Sequence, residues 1–412
     1  MRPVFLILAL CLAEALGMLA FATFPTLIPI FKHEWNLSNT EAGWISGVFF
    51  GGYVVAVGVL TALTDHIDAR RIYLFSMSVS ALAALGFAVA AGDVASASLW
   101  RFLQGIGLAG TYMPGLKALT DALPERLQSR AVAFYTSTFG IGASLSIYLA
   151  GVLEAWLGWR WAFALSALGP CVAFVIAARL LSPRKPIEKP TTRLLDFRPI
   201  IANRRAFGFT LAYFAHNAEL FGFRSWIVAF LVYSQNQQST GASGVIWSAA
   251  TIAAWLNLLS MPSSVTANEI AQRWGREKTL LVVMSSSAVV AAVLGFSGSS
   301  PFWIVLSIAV IYGITITADS ATITAGAIAA ADPRYRGATM ALHSLIGFIG
   351  AFLGPVIFGV VLDIAGGTTA DHAWGLAFSA MGIMVLLGPL AIWKLVLGKR
   401  TCANADKHPP SF

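Results

Sequence analysis

Seven ionisable side chains sit well inside long apolar stretches of this chain: Glu14, Arg101, His216, Glu219, Arg224, Asp319 and His343. At the centre of a lipid bilayer such a group costs about 2.5 to 3.5 kcal/mol on insertion scales, so each needs a task or a partner. The densest cluster runs Tyr213-Phe-Ala-His216-Asn217-Ala-Glu219-Leu-Phe-Gly222-Phe-Arg224. On a helix, His216 and Glu219 are three positions apart and share a face, while Asn217 and Arg224 share an adjoining one. A buried carboxyl exchanges protons readily when a neighbour can answer its charge, which marks Glu219, assisted by His216, as the expected proton-coupling group. Arg101 and Arg224 present forked donors that match a carboxylate or a small oxyanion. The same groups could instead pair with one another, Glu219 with Arg101 or Arg224, or the arginines with Glu14, Glu219 or Asp319. Asp319, among Thr315, Thr317, Ser320, Thr322 and Thr324, is expected to stand opposite His343 as a gate, a proton relay or a satisfied buried pair.

The elements that position these residues follow from composition. Of 412 residues, 57% are hydrophobic and 11% charged, against about 25% charged in an ordinary soluble domain. Mean hydropathy is +0.74, so the apolar excess must face lipid. A disordered chain, a disulfide-stapled secreted fold and a nucleic-acid binder are excluded, since they need polarity, many cysteines and an exposed basic face respectively. Uninterrupted apolar runs lie near 4–30, 42–64, 71–91, 97–117, 131–155 and 161–181, and again near 207–233, 241–263, 279–297, 301–330, 337–363 and 373–397. A spanning helix takes roughly 20 such residues, which predicts an all-α membrane protein of about twelve spans, numbered here helix 1 to helix 12. The runs lack the period-two alternation of a membrane β-barrel. The first run is too long for the apolar core of a secretory signal and reads as helix 1.

Ser182 to Ala206 is a polar linker holding Arg184, Lys185, Lys189, Arg193, Arg198, Arg204 and Arg205. Placing it in the cytoplasm puts Arg70, Arg71, Arg126, Arg130, Arg273, Arg276, Lys278, Arg334, Arg336, Lys399 and Arg400 on the same side, with little beyond Lys32 and Arg160 opposite. Both termini are therefore expected inside a bacterial inner membrane, and the net charge of +8 sets orientation. The expected division is a first bundle at 1–181, a linker at 182–206, a second bundle at 207–398 and a cytoplasmic tail at 399–412.

The halves repeat each other. Asp65 with Arg70 and Arg71 follows helix 2, and Gln272 with Arg273, Gly275 and Arg276 follows helix 8; Gly142 and Gly151 in helix 5 mirror Gly350 and Gly359 in helix 11; Arg130 mirrors Arg336. Six-helix repeats in parallel orientation build one large class of secondary transporters. The loop after helix 2 is similar to the Gly-x-x-x-Asp-Arg-x-Gly-Arg-Arg signature of the major facilitator superfamily, with Thr61, His66 and Asp68 as departures. Arg101-Phe-Leu-Gln104-Gly105 in helix 4 and Trp159-Arg160-Trp161-Ala-Phe163 at the start of helix 6 also resemble that family, and the resemblance covers the whole chain. The stretch around helix 7 is similar to its cyanate and nitrate permease branch.

The resemblance implies alternating access around a midplane cavity lined by helices 1, 4, 7 and 10. Glu14, Arg101, Gln104, His216, Asn217, Glu219, Arg224 and Asp319 fall on those helices, with His343 beside them on helix 11. It also implies that Asp65, Arg70, Arg71 and Arg130, with Arg273, Arg276 and Arg336, form cytoplasmic contacts that close the outward-facing state. The expected function is transport of a small polar or anionic solute with protons by a monomer in the bilayer, without cofactor or nucleic acid. The alternatives are proton-antiport efflux of an amphiphile and a non-transporting receptor of the same fold. Helix 5 has Ser146-Ile147 where the antiporters of the family carry Gly-Pro, which counts against efflux.

Several other patterns are structural. Gly105-Ile-Gly107-Leu-Ala-Gly110 matches the dinucleotide fingerprint in letters, but it lies inside an apolar helix, where small residues permit close packing. Gly350, Gly354-Pro355 and Gly359 read the same way. Ser38-Asn-Thr-Glu41 is a capping box opening helix 2. Cys11, Cys171 and Cys402 have no pairing or metal-ligand spacing, the histidines suggest no metal site, and no catalytic motif is present, so an enzyme is not expected.

Overall fold

The computed structural model describes residues 3–184, 197–238 and 247–398. Lys185, Lys189 and Arg193 of the linker, and Lys399, Arg400 and Cys402 of the tail, lie outside the described residues. The described residues are overwhelmingly helical and contain no strand.

Helix 1 is broken into Pro3–Gly17, Thr23–Thr26 and Ile28–Glu34. Helices 2 to 6 follow as Asn39–Leu63, Ala69–Ala90, Val94–Asp121, Glu125–Leu157 and Trp159–Leu180. The second half comprises Arg204–Gln237, Ala249–Trp274, Arg276–Phe296, Phe302–Ala330, Arg336–Ile364 and Asp371–Leu397, helices 7 to 12. Among the described residues, eight of these rods are long and apolar enough to cross a membrane. The four that fall short are helices 1, 4, 7 and 8: the first is interrupted, and helices 4 and 7 hold much of the embedded polarity. At 1.5 Å per residue, the 25 residues of helix 2 rise about 37 Å, enough for a hydrocarbon core of about 30 Å.

The chain enters and leaves the described structure on one face of the bundle, the terminal face. At the opposite face each half has its own aromatic core. Phe24, Phe31, Phe87, Trp159 and Phe163 pack together in the first half, with Phe87 stacked on Phe163 at 3.9 Å. Trp226, Phe358, Trp374 and Phe378 do so in the second, with Trp226 and Phe358 stacked at 5.4 Å. Around these cores, exposed tryptophans ring the bundle. Trp44, Trp156, Trp161, Trp247, Trp255 and Trp303 lie toward the face opposite the termini, three per half, whereas Trp274 and Trp393 lie toward the terminal face and both belong to the second half.

Glycine lets the helices touch backbone to backbone. A Cβ added at Gly105 would lie 1.8 Å from the Phe49 carbonyl oxygen of helix 2, and one at Gly110 would lie 1.9 Å from Ser76 Oγ of helix 3. The dinucleotide-like string is therefore a packing seam. Between the halves, a Cβ at Gly43 or Gly47 of helix 2 would meet the carbonyl oxygen of Pro355 or Phe352 of helix 11 at 2.3 and 2.4 Å. Helix 5 meets helix 8 similarly, with Asn257 Nδ2 donating to Gly140 O at 3.1 Å and to Ser144 Oγ at 2.7 Å. These inter-half contacts gather between mid-depth and the face opposite the termini.

Candidate functional site

The apolar run at 4–30 reads as one continuous helix, but the structure interrupts it between Gly17 and Thr23. A helix break inside a membrane exposes backbone groups that lipid cannot satisfy, so protein must do so. Arg101 of helix 4 donates through Nη1 to Ala20 O at 3.3 Å and Phe21 O at 3.2 Å, and to Gln104 Oε1 at 2.7 Å. Its guanidinium also lies 4.5 Å over the Phe49 ring. Ser146 of helix 5 donates to Leu19 O at 2.6 Å and accepts from Ala22 N at 2.9 Å. The residue that stands in place of the antiporter Gly-Pro thus holds the broken segment of helix 1, a role only tertiary structure reveals.

Glu14 is buried, and its Oε2 accepts from the Tyr135 hydroxyl at 2.8 Å while Oε1 has no partner among the described residues. The expected alternative of an ion pair between Arg101 and Glu14, Glu219 or Asp319 is not formed. Arg101 turns to backbone carbonyls because the helix-1 break places them within reach.

In the second half, Glu219 Oε1 accepts from Ser287 Oγ of helix 9 at 2.8 Å and from the Tyr312 hydroxyl of helix 10 at 3.1 Å. Neither Arg101 nor Arg224 pairs with it. His216 Nδ1 stands 2.7 Å from Asp319 Oδ1, a buried contact of charge partners outside hydrogen-bond alignment. Asp319 therefore faces His216 of helix 7 rather than His343. His343 instead stacks on Tyr213 with centroids 4.1 Å apart, and neither of its ring nitrogens has a partner among the described residues. Asn217 Nδ2 and Glu219 Oε2 are likewise buried without one.

Arg224 lies 5.4 Å from the Phe221 ring. It and Arg101 line the same small enclosed space with Phe21, Phe50 and Phe221, so the structure brings one guanidinium from each half to a shared aromatic pocket. The space holds about 20 Å³, room for a water molecule and not for a solute. In its wall Phe50 and Phe221 approach to 4.4 Å, and Tyr53 and Phe348 approach to 4.0 Å, closing the halves with aromatic rings. Among the described residues, three or more metal-ligating side chains do not converge anywhere.

On the terminal face, Arg70 Nη2 donates to Ala178 O of its own half at 2.8 Å. Among the described residues, the side chains of Asp65, Arg71, Arg130, Arg273, Arg276 and Arg336 form no hydrogen bond or ion pair. Contacts between the halves lie toward the other face, leaving these groups apart. Nearby, the Arg334 guanidinium and backbone N–H hold the Asp332 carboxyl below the usual carboxylate range.

The broken first helix, the repeated six-helix halves and the charges gathered between them define a transporter of the major facilitator type. The profile of the Major Facilitator Superfamily matches residues 10–317 and 220–410, and the chain belongs to that family. It is 23% identical over 402 residues to the gentisate transporter of Corynebacterium glutamicum, covering 93% of this chain and 85% of that protein. With the 3-(3-hydroxy-phenyl)propionate transporter of Escherichia coli it shares 27% over 377 residues, covering 90% and 89%. The fold is similar to that of a bacterial homologue of the human lysosomal transporter Spinster in an inward-facing, unoccupied conformation, with a TM-score of 0.75, 17% identity and 99% of each chain covered. A nucleoside transporter is similar too, with a TM-score of 0.75, 16% identity, and 96% of this chain and 99% of that one covered. The protein is thus a multi-pass membrane transporter of a small molecule, not an enzyme.

Proposed function

We propose that this protein carries a small organic anion, with an aromatic carboxylate as the best fit, into the cell together with a proton. The observation that carries this reading is the convergence of Arg101 and Arg224 on one pocket walled by Phe21, Phe50 and Phe221. Forked donors suit a carboxylate, and aromatic walls suit a ring. The printed names of the two curated relatives, carriers of gentisate and of a hydroxyphenylpropionate, point the same way. The pocket is too small to hold such a solute as it stands, so binding accompanies separation of the halves.

In this reading the terminal face is cytoplasmic, with both chain ends inside. The bundles divide at the linker 182–206, and the transporter works as a monomer. Asp65, Arg70, Arg71 and Arg130, with Arg273, Arg276 and Arg336, meet when the cytoplasmic side closes. Glu219 and the His216–Asp319 pair are the proton-handling groups, with Glu14 as their counterpart in the first half. Each carboxyl has one buried oxygen without a hydrogen bond among the described residues, which makes a fixed charge there costly and a removable proton useful. The test is uptake of a labelled aromatic acid into proteoliposomes with and without an inwardly directed proton gradient. Gradient-stimulated uptake supports the reading; stimulation by an outwardly directed gradient points to efflux, and absence of uptake for every acid and amine tried rejects transport of this class.

A further inference from the structure

The first backbone N–H groups of a helix have no partner within it and are met by caps or water. Helix 2 meets its own in two ways. Ser38 Oγ accepts from Glu41 N at 3.1 Å, the local half of the capping box. The two N–H groups before it are met by Asp363, at the end of helix 11 in the other half. Asp363 Oδ1 accepts from Asn39 N at 3.0 Å and Asn39 Nδ2 at 2.7 Å, while Oδ2 accepts from Thr40 N at 2.7 Å and Thr40 Oγ1 at 2.6 Å. The carboxylate also sits where the helix dipole favours negative charge. Lys32, at the end of helix 1, donates to Asn39 Oδ1 and reaches Thr368 Oγ1 at 3.2 Å in the loop after helix 11. The close approach holds the register, since a Cβ added at Gly359 would lie 2.2 Å from Asn39 O.

We infer that Asp363 is a latch: a helix cap supplied in trans, holding the face opposite the termini closed and released each time the halves part there. This rests on the alternating-access reading of the transporter. The four bonds form only while helices 2 and 11 touch, because donors and acceptor belong to different halves. Asp363 is exposed and Thr40 half-buried at the rim of the seam, so water can take over both sets of groups once the halves part. The latch therefore biases the closed state without locking it. Lys32 and Asn39 extend the same polar chain to helix 1, so its release is felt by the helix whose break Arg101 holds.

The test uses the full-length protein in lipid nanodiscs with Cys11, Cys171 and Cys402 replaced. Spin labels are placed through His33→Cys and Thr369→Cys, exposed positions on either side of the seam, and the distance distribution is measured. Asp363→Ala should raise the long-distance population about tenfold, the scale of a lost helix cap, with Asp363→Asn giving a smaller rise. Ser38→Ala, which removes the local cap without touching the inter-half bonds, should leave the distribution unchanged. An unchanged distribution in both Asp363 variants overturns the latch, as does an equal shift in Ser38→Ala, which would make the effect one of helix stability alone. If Asp363→Ala does not fold, Asp363→Asn decides on the same criterion. Because the readout is a distance, a wild type that takes up no solute while its variant opens would reject the transport reading and keep the latch.

Discussion

The two halves share a fold but use their buried polar groups differently. In the first, Arg101, Gln104 and Ser146 are engaged in holding a broken helix, and their partners are mostly backbone atoms of residues 19–22. In the second, helix 7 runs unbroken over 34 residues. Its polar side chains meet other side chains, Ser287, Tyr312 and Asp319. A backbone contact is a scaffold, since carbonyls cannot change charge. A contact between titratable side chains can change with protonation and solute. The comparison assigns rigidity to the helix-1 break of the first half and response to the helix-7 cluster of the second, with Glu14, bonded to Tyr135, as the first half's own responsive group.

The sharpest way to break that comparison is at Arg101. Arg101→Ala leaves two buried carbonyls of the helix-1 break, Ala20 O and Phe21 O, without its donor, each costing about 1 to 3 kcal/mol. Folded protein recovered from detergent should fall severely and transport should be lost; normal recovery with weakened binding alone would leave Arg101 its solute contact and remove its scaffold role. Glu219→Gln should next abolish gradient-driven uptake while sparing counterflow exchange of the same solute. Retained active uptake in proteoliposomes would remove Glu219 from proton coupling and with it the main difference between the halves. Arg224→Gln should leave thermal stability nearly unchanged and weaken binding of an aromatic acid about tenfold or more, roughly 1.4 kcal/mol upward, as read by calorimetric titration. A fall in melting temperature with unchanged affinity would place Arg224 with the scaffold. The smallest effect is expected from Ser146→Ala, a stability loss of about 1 to 2 kcal/mol with binding retained, measured by scanning fluorimetry in the same lipid.

Much of this architecture was legible in the residues. Apolar runs located the helices, the offset between landmarks such as Arg130 and Arg336 exposed the repeat, and the rarity of charge in lipid singled out every buried ionisable group. Helix ends were less legible: helix 8 runs to Trp274, past Pro262 and well beyond the apolar stretch, because its last turns leave the hydrocarbon. The break in helix 1 was hidden because residues 18–22 are as apolar as their neighbours, and its cause lies in Arg101 and Ser146, far away in sequence. Partner choice was hidden for the same reason. Asp319 could face His343 or His216 by helical position, and only the packing of helix 10 against helix 7 selects His216. The Asp363 cap escaped notice because a capping box already appeared to complete the start of helix 2.

The tryptophan ring carries a consequence for the surrounding lipid. Indole side chains settle at the headgroup boundary and resist displacement from it. The first half has exposed tryptophans toward one boundary, Trp44, Trp156 and Trp161, while the second has them toward both, with Trp247, Trp255 and Trp303 at one and Trp274 and Trp393 at the other. The second half thus carries indole anchors at both boundaries and the first at one, so a change in membrane thickness would act on the two halves unequally. Thickness mismatch adds fractions of a kcal/mol per Å, so acyl-chain length would load the two halves differently.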